Sequence, residues 1–129
     1  MAFTLLAAFG GCRKGDGVER VRLSGSVTFA GEAIVDGQIR FVPAAEASVP
    51  LAIATIRDGQ YDTAGIGGVP VGQFRVEIRA FDPKTPAPSF PGDPQRTQLL
   101  PAKFNTQSTL GLDVRSGQTA LTRDFNLDR

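Results

Sequence analysis

Between Val21 and Phe29 the apolar residues Val21, Leu23, Val27 and Phe29 hold odd positions, while Arg20, Arg22, Ser24, Ser26 and Thr28 hold the even ones. A period of two sends alternate side chains to opposite faces of an extended chain, so this run predicts a strand with one buried face. Gly25 falls on the inward side, where the missing side chain lets a neighbouring backbone approach closely. Phe74, Val76, Ile78 and Ala80 alternate with Gln73, Arg75, Glu77 and Arg79 and predict the clearest strand of the chain. Pro70 and Gly72 set the turn that launches it. Asp58-Gly59, lying between Ile56 and Tyr61, predicts a tight hairpin, because both residues tolerate the positive φ that such turns need.

Weaker signals fill in the rest. Ala30-Gly31-Glu32 turns the chain, Asp36-Gly37 reads as a second turn, and Ile39 with Phe41 opens a strand that Pro43 stops. Leu51 to Ile56 is apolar nearly throughout, which predicts a central strand buried on both faces. Leu110, Leu112 and Val114 alternate with polar neighbours, Ser116-Gly117 turns, and Leu121, Phe125 and Leu127 mark a closing strand. Arg123 interrupts the inner face of that strand, in the manner of an inward charge guarding a sheet edge. Seven or eight short strands with no helical period predict an all-β fold, a small antiparallel β-sandwich over residues 21–129. Its expected core is Val21, Leu23, Val27, Phe29, Ile39, Phe41, Ile53, Tyr61, Phe74, Val76, Ile78, Leu112, Val114, Phe125 and Leu127.

One long segment breaks the pattern. Phe81 to Leu100 carries Pro83, Pro86, Pro88, Pro91 and Pro94, a density that neither ladder nor helix survives. It predicts a Pro-rich loop over residues 82–98, a solvated excursion that Leu99-Leu100-Pro101-Ala102-Lys103-Phe104 brings back to the body. Phe81, Phe90, Lys103 and Phe104 are its candidate partner-binding residues.

The chain begins with the apolar, small-residue segment Met1 to Gly11, which ends at Gly10-Gly11-Cys12. It is too short to span a bilayer, which needs about 20 apolar residues. A small residue before a cysteine is the pattern of a lipoprotein signal peptide, cleaved and lipidated at Cys12, and the polar stretch at 13–20 then reads as a tether. The basic residues that open such signals are missing, which a start codon assigned too far downstream accounts for.

Composition narrows the chemistry more than it widens it. The 129 residues fit one domain, and a net charge of +1 supplies no field for nucleic acid. With no His and one Cys, neither a hydrolytic triad nor an internal disulfide can be written. Asp58 and Asp62 resemble half of a carboxylate pair, yet a hairpin turn and an outer strand face account for both. Asp82, Asp93 and Asp113 are the residues to consider for calcium, but the aspartate-rich loop that holds it does not occur. No enzyme, cofactor or metal is therefore expected. Without Trp, a flat aromatic platform for sugars is not expected either.

Leu23-Ser24-Gly25-Ser26-Val27 with Gly31, Gly37-Gln38-Ile39-Arg40-Phe41, Asp58-Gly59-Gln60-Tyr61, and Pro70-Val71-Gly72-Gln73-Phe74-Arg75-Val76 form a set of turn-and-strand motifs. Together they resemble the carboxypeptidase-regulatory-like domain. The resemblance covers about Val21 to Ala80, and Leu100-Pro101-Ala102-Lys103-Phe104 is similar to a segment found in small bacterial lipoproteins of this kind. It implies a transthyretin-like or immunoglobulin-like sandwich, and it implies no activity, since each motif is a turn followed by a strand.

The expected function is a non-catalytic cell-envelope lipoprotein, tethered to the inner or the outer membrane, with an envelope protein or glycan as partner. The alternative is a secreted module that captures a peptide or glycan through its Pro-rich loop or a sheet edge. The two differ in whether the surface from Phe81 to Pro101 forms an ordered concave patch.

Overall fold

The computed structural model describes residues 19–44 and 49–129, so Cys12 and the segment before it lie outside the described residues. Ten strands follow in order: β1 (Arg20–Phe29), β2 (Glu32–Ala33), β3 (Asp36–Pro43), β4 (Ala52–Arg57), β5 (Gln60–Asp62), β6 (Val69–Pro70), β7 (Gly72–Ala80), β8 (Gly111–Val114), β9 (Ala120–Thr122) and β10 (Phe125–Leu127). Two short 3₁₀ turns, Thr63–Ile66 and Ala102–Phe104, are the only helical elements among the described residues. The class is all-β. The strands hydrogen-bond into a curled, mainly antiparallel sheet of order β10-β1-β5-β4-β3-β7-β8, with β2, β6 and β9 also pairing with β1. Among the described residues ten strands stand where seven or eight were expected, because β2, β6 and β9 run for two or three residues and leave no alternation to read.

β1 joins the last two strands, β9 and β10, to the rest of the sheet. Its odd residues bond toward β5 and β6, and its even residues bond toward the parallel strands β9 and β10. Each edge of β1 has a gap in the ladder, and a side chain fills it. On one edge the Thr63 hydroxyl accepts from the Leu23 N–H at 2.7 Å and donates to the Leu23 carbonyl at 3.0 Å. On the other, an Asp124 carboxylate oxygen accepts from the Ser26 N–H at 2.8 Å. Both devices satisfy backbone groups that would otherwise be left unpaired.

Three expectations change. Asp36-Gly37 does not turn; it opens β3, paired with Arg57 and Ile56 on one side and, through Gly37, with Ala80 on the other. A Cβ at Gly37 would stand 2.3 Å from the Arg79 carbonyl oxygen, so the glycine serves close approach of backbones. β4 is not buried on both faces: Ala52, Ala54 and Ile56 point inward, while Ile53 is half-buried and Thr55 exposed. Alanines at alternate positions hide the period, since Ala reads as apolar without marking a face. Arg123 is exposed and lies between β9 and β10, its guanidinium 5.7 Å from the centre of the Phe125 ring. It is no inward charge, because the chain breaks there to pass over Gly25.

The core otherwise follows the alternation. Val21, Leu23, Val27, Ile39, Phe41, Tyr61, Phe74, Val76, Ile78, Val114, Phe125 and Leu127 are buried, and Ile34, Ile56, Val69, Leu100 and Phe104 join them. Phe29 and Leu112 are half-buried against this cluster. Phe41, Tyr61 and Phe125 form an aromatic run with centroids 6.2 and 6.1 Å apart, and Phe29 meets Phe104 edge to face at 6.0 Å. Such pairs add to what area burial alone supplies. Asp58-Gly59 forms the expected hairpin between β4 and β5, with φ of 52° and 76°.

Candidate functional site

The Pro-rich loop is tied down at its base. Phe81 and Gln98 form an antiparallel bridge, Leu99 N–H donates to the Ala80 carbonyl at 2.9 Å, and the Gln98 side-chain oxygen accepts from the Ala80 N–H at 2.9 Å and the Leu100 N–H at 3.0 Å. A second clip is ionic. Arg96 Nη2 donates to an Asp36 carboxylate oxygen and, at 3.0 Å, to the Asp82 carbonyl, while its guanidinium lies 4.9 Å from the centre of the Phe81 ring. Its side chain is 13% exposed, so the pair is shielded from solvent far better than an ordinary surface ion pair. Within the loop, Asp82 accepts from the Lys84 N–H and Asp93 from the Ser89 and Phe90 N–H groups, each at about 3 Å. Aspartate side chains thus supply the turn hydrogen bonds of a segment whose prolines have no N–H to donate.

Pinned in this way, the loop walls a groove of about 610 Å³ against the outer face of the sheet. Asp36, Gln38, Thr55 and Arg57 form its floor, and Phe81, Pro83, Pro86, Pro88 and Arg96 stand among its walls. The β3–β4 and β3–β7 registers fix the floor: Asp36 pairs with Arg57, and Gln38 sits between Thr55 and Arg79. Although Arg57 is the direct cross-strand partner of Asp36, that carboxylate is taken by Arg96. Among the described residues Arg57 makes no ion pair. The groove therefore keeps one uncommitted guanidinium.

Further along the same face, Glu77 is 6% exposed, although it points away from the core. Arg75 and Arg79, two residues to either side on β7, bond its carboxylate at 2.6 and 3.3 Å and cover it. Arg40 stands opposite Glu77 on β3, and its buried Nε has no hydrogen-bond partner; nor does the Nε of Arg96.

The four candidate partner-binding residues separate. Phe81 is half-buried beneath Arg96, where it shapes the groove. Phe90 is 74% exposed in the loop. Phe104 is buried in the core against Phe29, so it is withdrawn from any partner, and Lys103 is exposed with its ammonium 4.9 Å from the centre of that ring. Lys103-Phe104 belongs to the return of the chain, which Leu100 anchors alongside. Arg57, Gln38 and Thr55 were missed as site residues: Gln38 reads as the polar side of its strand, Thr55 lies in a run that reads as buried on both faces, Arg57 flanks a turn, and only the fold of the loop shows what they face.

Of the aspartates of catalytic or metal-binding interest, Asp62, Asp82, Asp93 and Asp113 have local partners for their side chains, and Asp58 sits in the hairpin turn with its N–H on the Val35 carbonyl at 2.9 Å. Asp62 caps the Thr63–Ile66 turn through the Ala64 N–H at 2.9 Å and holds Arg22 through two bonds, 3.0 and 2.5 Å. The Arg22 hydrogen bonds, helped by the Ala64 N–H, bring its carboxyl from 3.8 to about 2. Its acidity is tuned to an ion pair, not to proton transfer near neutrality. Burial, aided by the Asp124 charge, holds the Tyr61 phenol above its ordinary range, so it stays a neutral donor to the Arg123 carbonyl at 2.7 Å. Asp113 pairs with Arg115, and among the described residues no three His, Cys, Asp or Glu side chains gather as a metal site would need. No helix among them is long and apolar enough to cross a membrane.

The two clips predict how the loop opens. Trypsin should cut first after the exposed Lys84, with Arg96 protected by its partners. Arg96→Ala should raise the cleavage rate at Lys84 several-fold while the cooperative unfolding midpoint moves little. Equal rates in wild type and variant would show that the clip does not hold the loop.

Comparison with family models, with curated proteins and with solved structures returns no match.

Proposed function

We propose that this chain is a non-catalytic binding module of the cell envelope, held at a membrane through a lipid on Cys12. Its ligand would lie in the groove between the Pro-rich loop and the outer sheet face. The observation that supports this reading is the clipped loop, since a proline-dense segment left to solvent needs neither the Arg96–Asp36 pair nor the Gln98 bonds. We further read the curled sheet as a transthyretin-like sandwich whose halves meet at β1, as the resemblance to the carboxypeptidase-regulatory-like domain implies.

Two measurements test the parts separately. Expressed with an intact upstream signal in a bacterial host, the wild type should fractionate with membranes and show a mass increase on its N-terminal peptide, and Cys12→Ser should be soluble or unprocessed. One acyl chain gives marginal attachment at about 0.8 kcal/mol per buried methylene, and a diacylglyceryl group makes it stable. Recovery of the wild type as a soluble protein with a free thiol would end the tether reading. The groove is tested by protection: some soluble envelope glycan or peptide fraction should slow cleavage at Lys84, and if none does, the binding reading fails.

A further inference from the structure

The outer face of β4, β3 and β7 carries Arg57, Arg40, Arg75 and Arg79, with Arg96 at the wall of the groove, against the carboxylates of Asp36 and Glu77. The chain as a whole is nearly balanced, with 14 basic and 13 acidic residues. On this face, by contrast, five arginines stand against two carboxylates, so it is locally positive, and its named cations are all arginine. A guanidinium presents planar, paired donors that match the oxygens of carboxylate or sulfate, and it gives up its water more readily than an ammonium does.

We propose, resting on the binding reading above, that this face and its groove bind an anionic polysaccharide, one bearing carboxylate or sulfate groups. Charge complementarity selects the ligand. Asp36 and Glu77 are already engaged by Arg96, Arg75 and Arg79, so the guanidiniums of Arg57 and Arg40, without ion pairs among the described residues, are left to receive it. Both edges of β3 are spent on β4 and β7 over Gly37 to Phe41, so a peptide cannot add here as a strand. What the face offers is side chains alone: guanidiniums for anions, and the Gln38 and Thr55 groups between them for sugar hydroxyls. Their order also suits an extended polymer. Arg57, Arg79, Arg40 and Arg75 occupy successive rows of the register, at 36, 38, 40 and 42 of β3, which are about 7 Å apart along a strand. A single small anion would use one row, whereas a chain of charged sugars can use several.

The test is titration of the full chain with polygalacturonate and dextran sulfate, using neutral dextran and poly-L-glutamate as comparison polymers. Polygalacturonate, dextran sulfate or both should bind, with affinity that falls steeply as salt rises. Arg57→Gln should weaken binding about tenfold, the equivalent of one charge-assisted hydrogen bond, and Arg57→Gln with Arg40→Gln should weaken it further. Arg129→Gln, at the chain terminus, should bind as the wild type does. Arg57 is exposed, so its replacement leaves the fold intact, which far-ultraviolet circular dichroism verifies. Equal binding of neutral dextran, unchanged affinity in the Arg57 variants, or no binding of either acidic glycan overturns the proposal. Poly-L-glutamate binding as tightly as the glycans would also overturn it and assign the face to acidic peptides. A ligand that protects Lys84 without being anionic would leave the groove standing and remove only its charge selectivity.

Discussion

Gly25→Ala should destabilise the domain by about 3 kcal/mol and lower its Tm by roughly 10 to 20 °C. The glycine lies mid-strand in β1, paired with Tyr61, and an added Cβ would stand 2.1 Å from the Arg123 carbonyl oxygen and 2.8 Å from an Asp124 carboxylate oxygen. The obstructing atoms cannot swing away. Arg123 is held by its own N–H on the Ser24 carbonyl at 2.8 Å and by the Tyr61 hydroxyl on its carbonyl, and Asp124 is held by the Ser26 N–H. To admit one methyl group, the crossing between β9 and β10 must lift off β1, which breaks these bonds together and uncovers Tyr61 and Phe125. Urea unfolding followed by circular dichroism measures the loss. A change below about 1 kcal/mol would mean that the crossing is loosely seated. Gly31→Ala is the contrast: its Cβ would meet nothing within 4 Å, so only the strain of φ 83° is felt there.

That crossing also marks where sequence reading succeeds and where it stops. An inward glycine in an otherwise alternating strand announces that a backbone comes close, and Gly25 reads correctly from its position alone. Which backbone comes close is a property of residues almost a hundred positions away, and nothing local to Val21–Phe29 names Arg123. The charge at Arg123 misleads for a related reason. A period of two counts positions as if the closing strand were continuous, whereas the chain pairs with β1, leaves it over Gly25 and returns. Asp36-Gly37 fails by the same logic as Gly25 succeeds: the glycine is required by the Arg79 carbonyl across the ladder, not by a turn.

The candidate site is legible only in part. Proline density shows that residues 82–98 cannot join the sheet, but whether the loop floats or folds back depends on Arg96 reaching Asp36, a pairing across sixty residues. Phe104 looks like an anchor for a partner because it follows a lysine in a segment between loops. It is instead an anchor for the fold, as its contact with Phe29 shows. Arg57 carries no signal of its own, and it becomes a site residue because Asp36 is claimed from the other side.

Thr63→Val is the second change with a large expected cost, again about 3 kcal/mol, although it preserves shape and adds no bulk. Thr63 is fully buried, and its hydroxyl both accepts from and donates to the backbone of Leu23, in the gap that β6 and β5 leave along β1. Valine supplies a methyl group where the oxygen was. The Leu23 N–H and carbonyl then lie buried without partners, and each such group costs about 1 to 3 kcal/mol in lost solvation. No backbone group stands ready to replace the hydroxyl, because Thr63 starts a 3₁₀ turn in which the Ala64 N–H is already taken by the carboxylate of the preceding residue, Asp62. Thr63→Ser separates the causes. Serine keeps the hydroxyl and loses only a methyl, so it should cost about 1 kcal/mol, leaving the valine variant clearly the less stable despite its better match in volume. Denaturant midpoints of the three proteins decide the matter: if serine is as damaging as valine, packing of the methyl and not the pair of hydrogen bonds is what Thr63 contributes to β1.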